Sequence, residues 1–151
     1  MTLPNVSQDL VWEIVRNNNS YLVKRKQAGG VQFSRDPLNL VNKNSRKHAG
    51  FVNDKAAGIY TDSEKGLVYH SKKAKSVHQP IKAHHKVQFG GHSRKTYKNI
   101  ANYVARGGYR PDLRQAAIAR ASAVFKSQRP VKPEPEKKLR GNAAKKAAAS
   151  E

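Results

Sequence analysis

No cysteine occurs among the 151 residues. That excludes disulfide stapling, thiolate nucleophiles and any zinc site built on Cys. Carboxylates are scarce as well: ten Asp and Glu stand against thirty Lys and Arg, for a formal charge of +20. No pair of them is spaced for acid–base work, no Gly-rich loop leads into Lys-Ser/Thr, and no Ser/His/Asp arrangement stands out, so neither catalytic activity nor a cofactor is expected. The six histidines (His48, His70, His78, His84, His85 and His92) include one close pair, His84-His85. Adjacent positions do not converge on one ion without a third ligand at helical or hairpin spacing, so no metal is expected. Long apolar runs are missing too. No stretch approaches the roughly 18 residues of a membrane span, and Met1 to Gln8 holds no basic segment leading into an apolar run, so a secreted or membrane-spanning chain is not expected. Leu, Ile, Val and Phe together number 30. That is close to the roughly 20% level below which a highly charged chain tends toward disorder, and it implies a thin core.

What is present is positive charge. At this length the chain holds one modest domain, and +20 repels itself unless something anionic lies against it. A membrane surface is a poor fit, because no Lys-rich helix with a broad Trp/Phe/Leu face is visible. Nucleic acid is the better one. The cations are spread through the chain: residues 1–128 hold 23 Lys and Arg against 7 Asp and Glu, or +16. Two parts are therefore expected: a nucleic-acid-binding body over 1–128, and a flexible Pro/Ala/Lys-rich basic tail over 129–151, disordered alone.

The pattern predicts an α+β body: a small antiparallel sheet, a short N-terminal helix, two helices in the C-terminal half and long basic loops. Ser7 or Asp9 can cap a helix carrying Leu10, Val11, Ile14 and Val15, and Asn17-Asn18-Asn19 should end it. Trp12 has apolar neighbours and is expected in the core. Strands are expected within Ser20–Lys26, at Val31 and Phe33, at Phe51-Val52, and at Gly58–Tyr60 and Leu67–Tyr69, the last two joined as a hairpin. Leu38 to Lys47 reads as an irregular loop outside the core, and His70 to Gly91 as an extended basic excursion. A helix capped by Ser93 should run to Gly107-Gly108, with Tyr97, Ile100, Ala101 and Val104 as its apolar stripe. Pro111 to Lys126 is the strongest helix, with Pro111 at its first position and Asp112 complementing its dipole.

Candidate nucleic-acid-contacting residues follow from where cations gather. They are Lys24, Arg25 and Lys26 at a strand end; Lys43, Arg46 and Lys47 in the Asn-rich loop; Lys72 and Lys73; and Arg94, Lys95, Lys98 and Arg106 on the outer face of a helix. Tyr109, Arg110, Arg114 and Arg120 complete the set. In Tyr109-Arg110-Pro111-Asp112-Leu113-Arg114 a ring and two guanidinium planes at a helix start can stack on an unpaired base and hold flanking phosphates. Equally, the Arg stems can pack while their heads stay in solvent.

Several runs carry a family resemblance: Trp12, Val15-Arg16-Asn17, Ser20-Tyr21-Leu22-Val23-Lys24-Arg25, Pro37-Leu38-Asn39-Leu40 and Asn44-Ser45. The most specific is Tyr109-Arg110-Pro111-Asp112-Leu113-Arg114, followed by Ala116-Ala117-Ile118, Arg120-Ala121-Ser122-Ala123 and Ser127-Gln128. Over roughly Asp9 to Pro130 the chain resembles the eukaryote-specific large-subunit ribosomal protein family numbered twenty-eight. The resemblance implies an α+β structural component of the cytoplasmic large subunit, in contact with ribosomal RNA and neighbouring ribosomal proteins, reaching the cytoplasm after assembly in the nucleus and nucleolus. Two alternatives stand beside it: a nucleolar assembly factor sharing the domain, and a histone-like DNA-binding protein. Assembly factors of this kind are longer and end in acidic or coiled-coil extensions. Histone-like chains repeat Lys-Ala-Pro blocks or form compact helical dimers, whereas a hairpin and Asn-rich loops suit an irregular RNA surface.

Overall fold

A computed structural model describes residues 5–27, 29–61, 66–76, 78–91, 94–135, 138, 140–142, 145, 146 and 149. The elements run α1 (Gln8–Val15), β1 (Leu22–Lys24), β2 (Gln32–Ser34), β3 (Ala57–Tyr60), β4 (Leu67–Lys72), β5 (His84–Phe89), α2 (Arg94–Ala105) and α3 (Arg114–Ser127). β1 and β2 form a two-stranded antiparallel ribbon, and β3-β4-β5 an antiparallel meander. The mixed α+β class expected from the pattern is the one observed.

The main core lies between one face of the meander and the pair α2/α3. Ala57 and Ile59 of β3 and Leu67 and Tyr69 of β4 project to that face and meet Ile100, Val104, Ala117, Ala121, Val124 and Phe125. Strand alternation sends their neighbours to the other side. Ile100 and Val104 are fully buried on the apolar stripe of α2, each contributing about 1.5–3 kcal/mol of transfer free energy. α3 begins later than its pattern suggests. Pro111–Leu113 forms a single 3₁₀ turn before the α-helix opens at Arg114. Gly107 and Gly108, both at positive φ, turn the chain between the two helices.

The segment read from sequence as a loop outside the core is built into the packing: Leu40 joins the main core, and Pro37 and Leu38 lie against β3 at Gly58. Leu38, Asn39 and Leu40 are all buried. Backbone hydrogen bonds to side chains replace a ladder here: Asp36 Oδ1 accepts from Leu38 N–H at 2.9 Å, and Asn39 Oδ1 accepts from Val41 and Asn42 N–H at 3.0 and 2.8 Å. Asp and Asn are common in loops because they make these local bonds, and here the same bonds let an irregular segment be buried. Phe51-Val52, expected as a strand, is a turn. Val52 instead joins Trp12 and Ala49 in a second small cluster beneath α1, where Val11 and Val15 also pack. Ser7 caps α1 by accepting from Leu10 N–H at 3.2 Å, while Leu10 and Ile14 face outward.

The stretch His70 to Gly91 differs most from its reading as an excursion. β4 continues to Lys72, and the chain returns as β5, paired along its length with β4 from Leu67↔Phe89 to Lys72↔His84. Ser93, expected to cap α2, lies outside the described residues. So does most of the β3–β4 hairpin loop, residues 62–65.

Candidate nucleic-acid interface

Most of the cations named from sequence stand outward. Lys24 ends β1, and Arg25 and Lys26 follow it, all exposed. Lys43, Lys47 and Lys73 are exposed on the loops. α2 presents Arg94, Lys95 and Lys98 on its outer side with Arg106 just beyond its end, and Arg114 is exposed at the start of α3. No Asp or Glu lies between residues 94 and 106.

Five of the named residues are engaged inside the protein. Lys72 Nζ donates to three backbone carbonyls, Gly50 at 2.5 Å, Asn53 at 3.1 Å and Phe51 at 3.3 Å. Burial pushes its pKa down from the ordinary lysine value, while the carboxylates of Asp36 and Asp54 pull it back up. The Tyr109 hydroxyl sits among Ala56 N–H at 3.1 Å, Lys72 C=O at 2.7 Å and Ala56 C=O at 3.0 Å. Burial raises its pKa. Arg110 donates to the carbonyls of Lys55 at 2.8 Å and Lys47 at 3.0 Å, and grips both oxygens of Asp112. That hydrogen-bonded grip holds the Asp112 carboxyl below its usual range. Arg46 pairs with Asp9 at 2.8 Å and donates to Asn53, and Arg120 Nε reaches the Ile59 carbonyl at 3.4 Å. The most distinctive run of the sequence is thus a clamp. Tyr109 and Arg110 tie the α2–α3 connection to the loop 47–56 and to the end of β4.

Sequence reasoning counted Lys86 in the basic stretch but placed it on no strand and among no contacts, whereas it stands exposed on β5. Its signal was the alternation of Val87 and Phe89 with Lys86 and Gln88, a period-two pattern hidden in a basic segment. The histidine pair formed by folding was also not the sequential one. His70 Nε2 and His84 Nδ1, on neighbouring strands, lie 3.0 Å apart. Burial first, then the charges of His84, Lys86 and Lys72, lower the His70 pKa to about 4. Among the described residues no group of three His, Cys, Asp or Glu is placed to hold a metal, and no helix is long and apolar enough to cross a membrane.

These features define a small, strongly basic α+β protein with its cations turned outward and a few of them used as internal clamps. The chain belongs to the Ribosomal L28e protein family, which matches residues 10–127. It is similar to the large ribosomal subunit protein eL28 of Schizosaccharomyces pombe, 46% identical over 130 residues that cover 85% of this chain and 97% of that protein. Large ribosomal subunit protein eL28 of Dictyostelium discoideum is 32% identical over 138 residues, covering 91% of this chain and all of the relative. The protein of the same name from Caenorhabditis elegans is 32% identical over 124 residues, covering 82% of this chain and 91% of the relative.

Proposed function

We propose that this chain is a structural constituent of the large subunit of the cytoplasmic ribosome, binding ribosomal RNA and neighbouring ribosomal proteins, and supporting translation without catalysis of its own. The observation that carries the reading is the end-to-end match to relatives named as large-subunit proteins, joined to a body with +16 over residues 1–128. Lys24, Arg25, Lys26, Lys43, Lys47, Lys73, Arg94, Lys95, Lys98, Arg106 and Arg114 are the proposed phosphate contacts, because their head groups are exposed. Lys72, Tyr109, Arg110, Arg46 and Arg120 act one step back, shaping the surface on which the others stand. The chain passes through the nucleus and nucleolus during assembly and works in the cytoplasm. Residues 129–151 form the basic tail of the 1–128 body and add to its attraction for RNA.

Counterion release makes the RNA part measurable, since each neutralised phosphate adds about 0.7–0.9 to the slope of log K against log salt. Replacing Arg94, Lys95 and Lys98 together with Ala should weaken binding to large-subunit ribosomal RNA and reduce that slope by about 2–3. An unchanged slope removes α2 from the interface.

A further inference from the structure

Beside its cations, α2 carries a surface of a different kind. Asn99, Asn102, Tyr103, Arg106 and Gly107 line an open concavity of about 520 Å³, a volume within the roughly 300–1,000 Å³ of small-ligand pockets. It lies toward the outer edge of the meander, where β5 is the last strand. Tyr103 is 45% exposed, yet its ring is held. It stacks on the buried Tyr69 at 5.5 Å and 27° between planes, with Phe89 edge-on at 6.3 Å and His85 at 6.5 Å. An aromatic ring fixed from behind and open to solvent is what a nucleobase needs to stack on, because little side-chain freedom is lost on binding.

The neighbours specify the ligand further. Asn99 and Asn102 each offer an amide donor and acceptor, the groups that pair with the edge of a base once it has left its duplex. Arg106 supplies a guanidinium for a phosphate. Lys95 falls on the same side of the helix, and Lys98 beside it, so the strand leading to and from the nucleotide meets cations and no carboxylate. A protein neighbour would favour an apolar centre to the patch, whereas Tyr103 here is surrounded by amide, guanidinium and glycine.

We propose that Tyr103 is the stacking platform for one unpaired RNA nucleotide, with Asn99 and Asn102 reading the base edge and Arg106 holding the phosphate. The proposal rests on the RNA-binding reading above and gives it a form: at this site the chain takes unpaired rather than duplex RNA.

The test compares the full chain on two fluorescein-labelled RNAs, a hairpin with an unpaired loop and a blunt duplex of the same stem. The wild type binds the looped RNA about tenfold more tightly than the duplex. Tyr103→Leu loses that preference while keeping its duplex affinity, and Tyr103→Phe retains it. Asn102→Ala, an exposed helix position, lowers affinity for the looped RNA about threefold with an unchanged melting temperature, which keeps the test sound if Tyr103→Leu fails to fold. Wild-type preference persisting in Tyr103→Leu and Asn102→Ala, or equal wild-type affinity for both RNAs, overturns the proposal. Failure of the wild type to bind either RNA at low salt overturns the RNA-binding reading itself.

Discussion

Lys72 holds an ammonium against three carbonyls of the loop 50–53, and Tyr109 places a single hydroxyl proton between two carbonyls while accepting from Ala56 N–H. Because the Ala56 carbonyl is already satisfied by Lys72 N–H at 3.1 Å, the hydroxyl's essential partners are Ala56 N–H and Lys72 C=O. Tyr109→Phe strands both in a partly buried site. Unfolding of the variant in urea should show about 1–3 kcal/mol less stability, with RNA affinity of the folded protein little changed. A loss of RNA affinity at full stability would instead make Tyr109 a contact residue. The run from Tyr109 to Arg114 was legible in the sequence as distinctive, but its job was not. Arg110 and Arg114 look equivalent as sequence, yet one guanidinium is spent on carbonyls and Asp112 while the other is exposed. The difference comes from which loop happens to lie against the helix start, a long-range fact that local pattern does not contain.

Among the elements, the helices and the β3–β4 pair could be read directly, because apolar positions at helical spacing mark the helices and two short apolar runs joined by a polar, Gly-terminated loop mark the hairpin. β5 could not, since His84, His85 and Lys86 mask the alternation of Val87 and Phe89. Leu38 and Leu40 were read as outside the core because the stretch is rich in Asn, Ser, Lys and Arg, yet the side chains of Asp36 and Asn39 satisfy its buried backbone. Gly58 records how closely that segment approaches the sheet. A Cβ there would stand 2.1 Å from the Pro37 carbonyl oxygen. Gly58→Ala must lift the 36–40 segment off β3, and a urea titration should show a loss of about 3 kcal/mol or failure to fold. Wild-type stability would contradict the close packing of the two.

The pairing of β4 with β5 also carries a pH dependence. His70, beside Tyr60 and His84, has its pKa lowered to about 4, while an unfolded chain's imidazole titrates near 6.5. Between those values the unfolded chain binds a proton that the folded one does not, so stability is full above about pH 6.5, falls as the pH drops and levels off below about 4. His48, also lowered by burial, acts in the same direction. Since His70 is only half-buried, its share is about 1 kcal/mol after screening. His70→Gln should shrink the stability difference between pH 7.5 and pH 5 by that amount, measured by denaturant titration, and an undiminished difference would place the pH dependence elsewhere.

At the scale of the whole molecule, a net charge of +20 on a thin core means that self-repulsion opposes the compact state. A polyanion that binds only the folded chain relieves that repulsion and adds stability by mass action. The strong charge and the scarcity of carboxylates made this legible from composition, while the family came from particular runs of residues and was then shown by the match over residues 10–127. The most direct measurement of the central claim is sedimentation of the tagged chain from cell lysate through sucrose, before and after a high-salt wash that separates the ribosomal subunits. The account predicts stoichiometric retention on the mature large subunit and on polysomes. Recovery only with nuclear precursor particles, or absence from ribosomal fractions altogether, would contradict it.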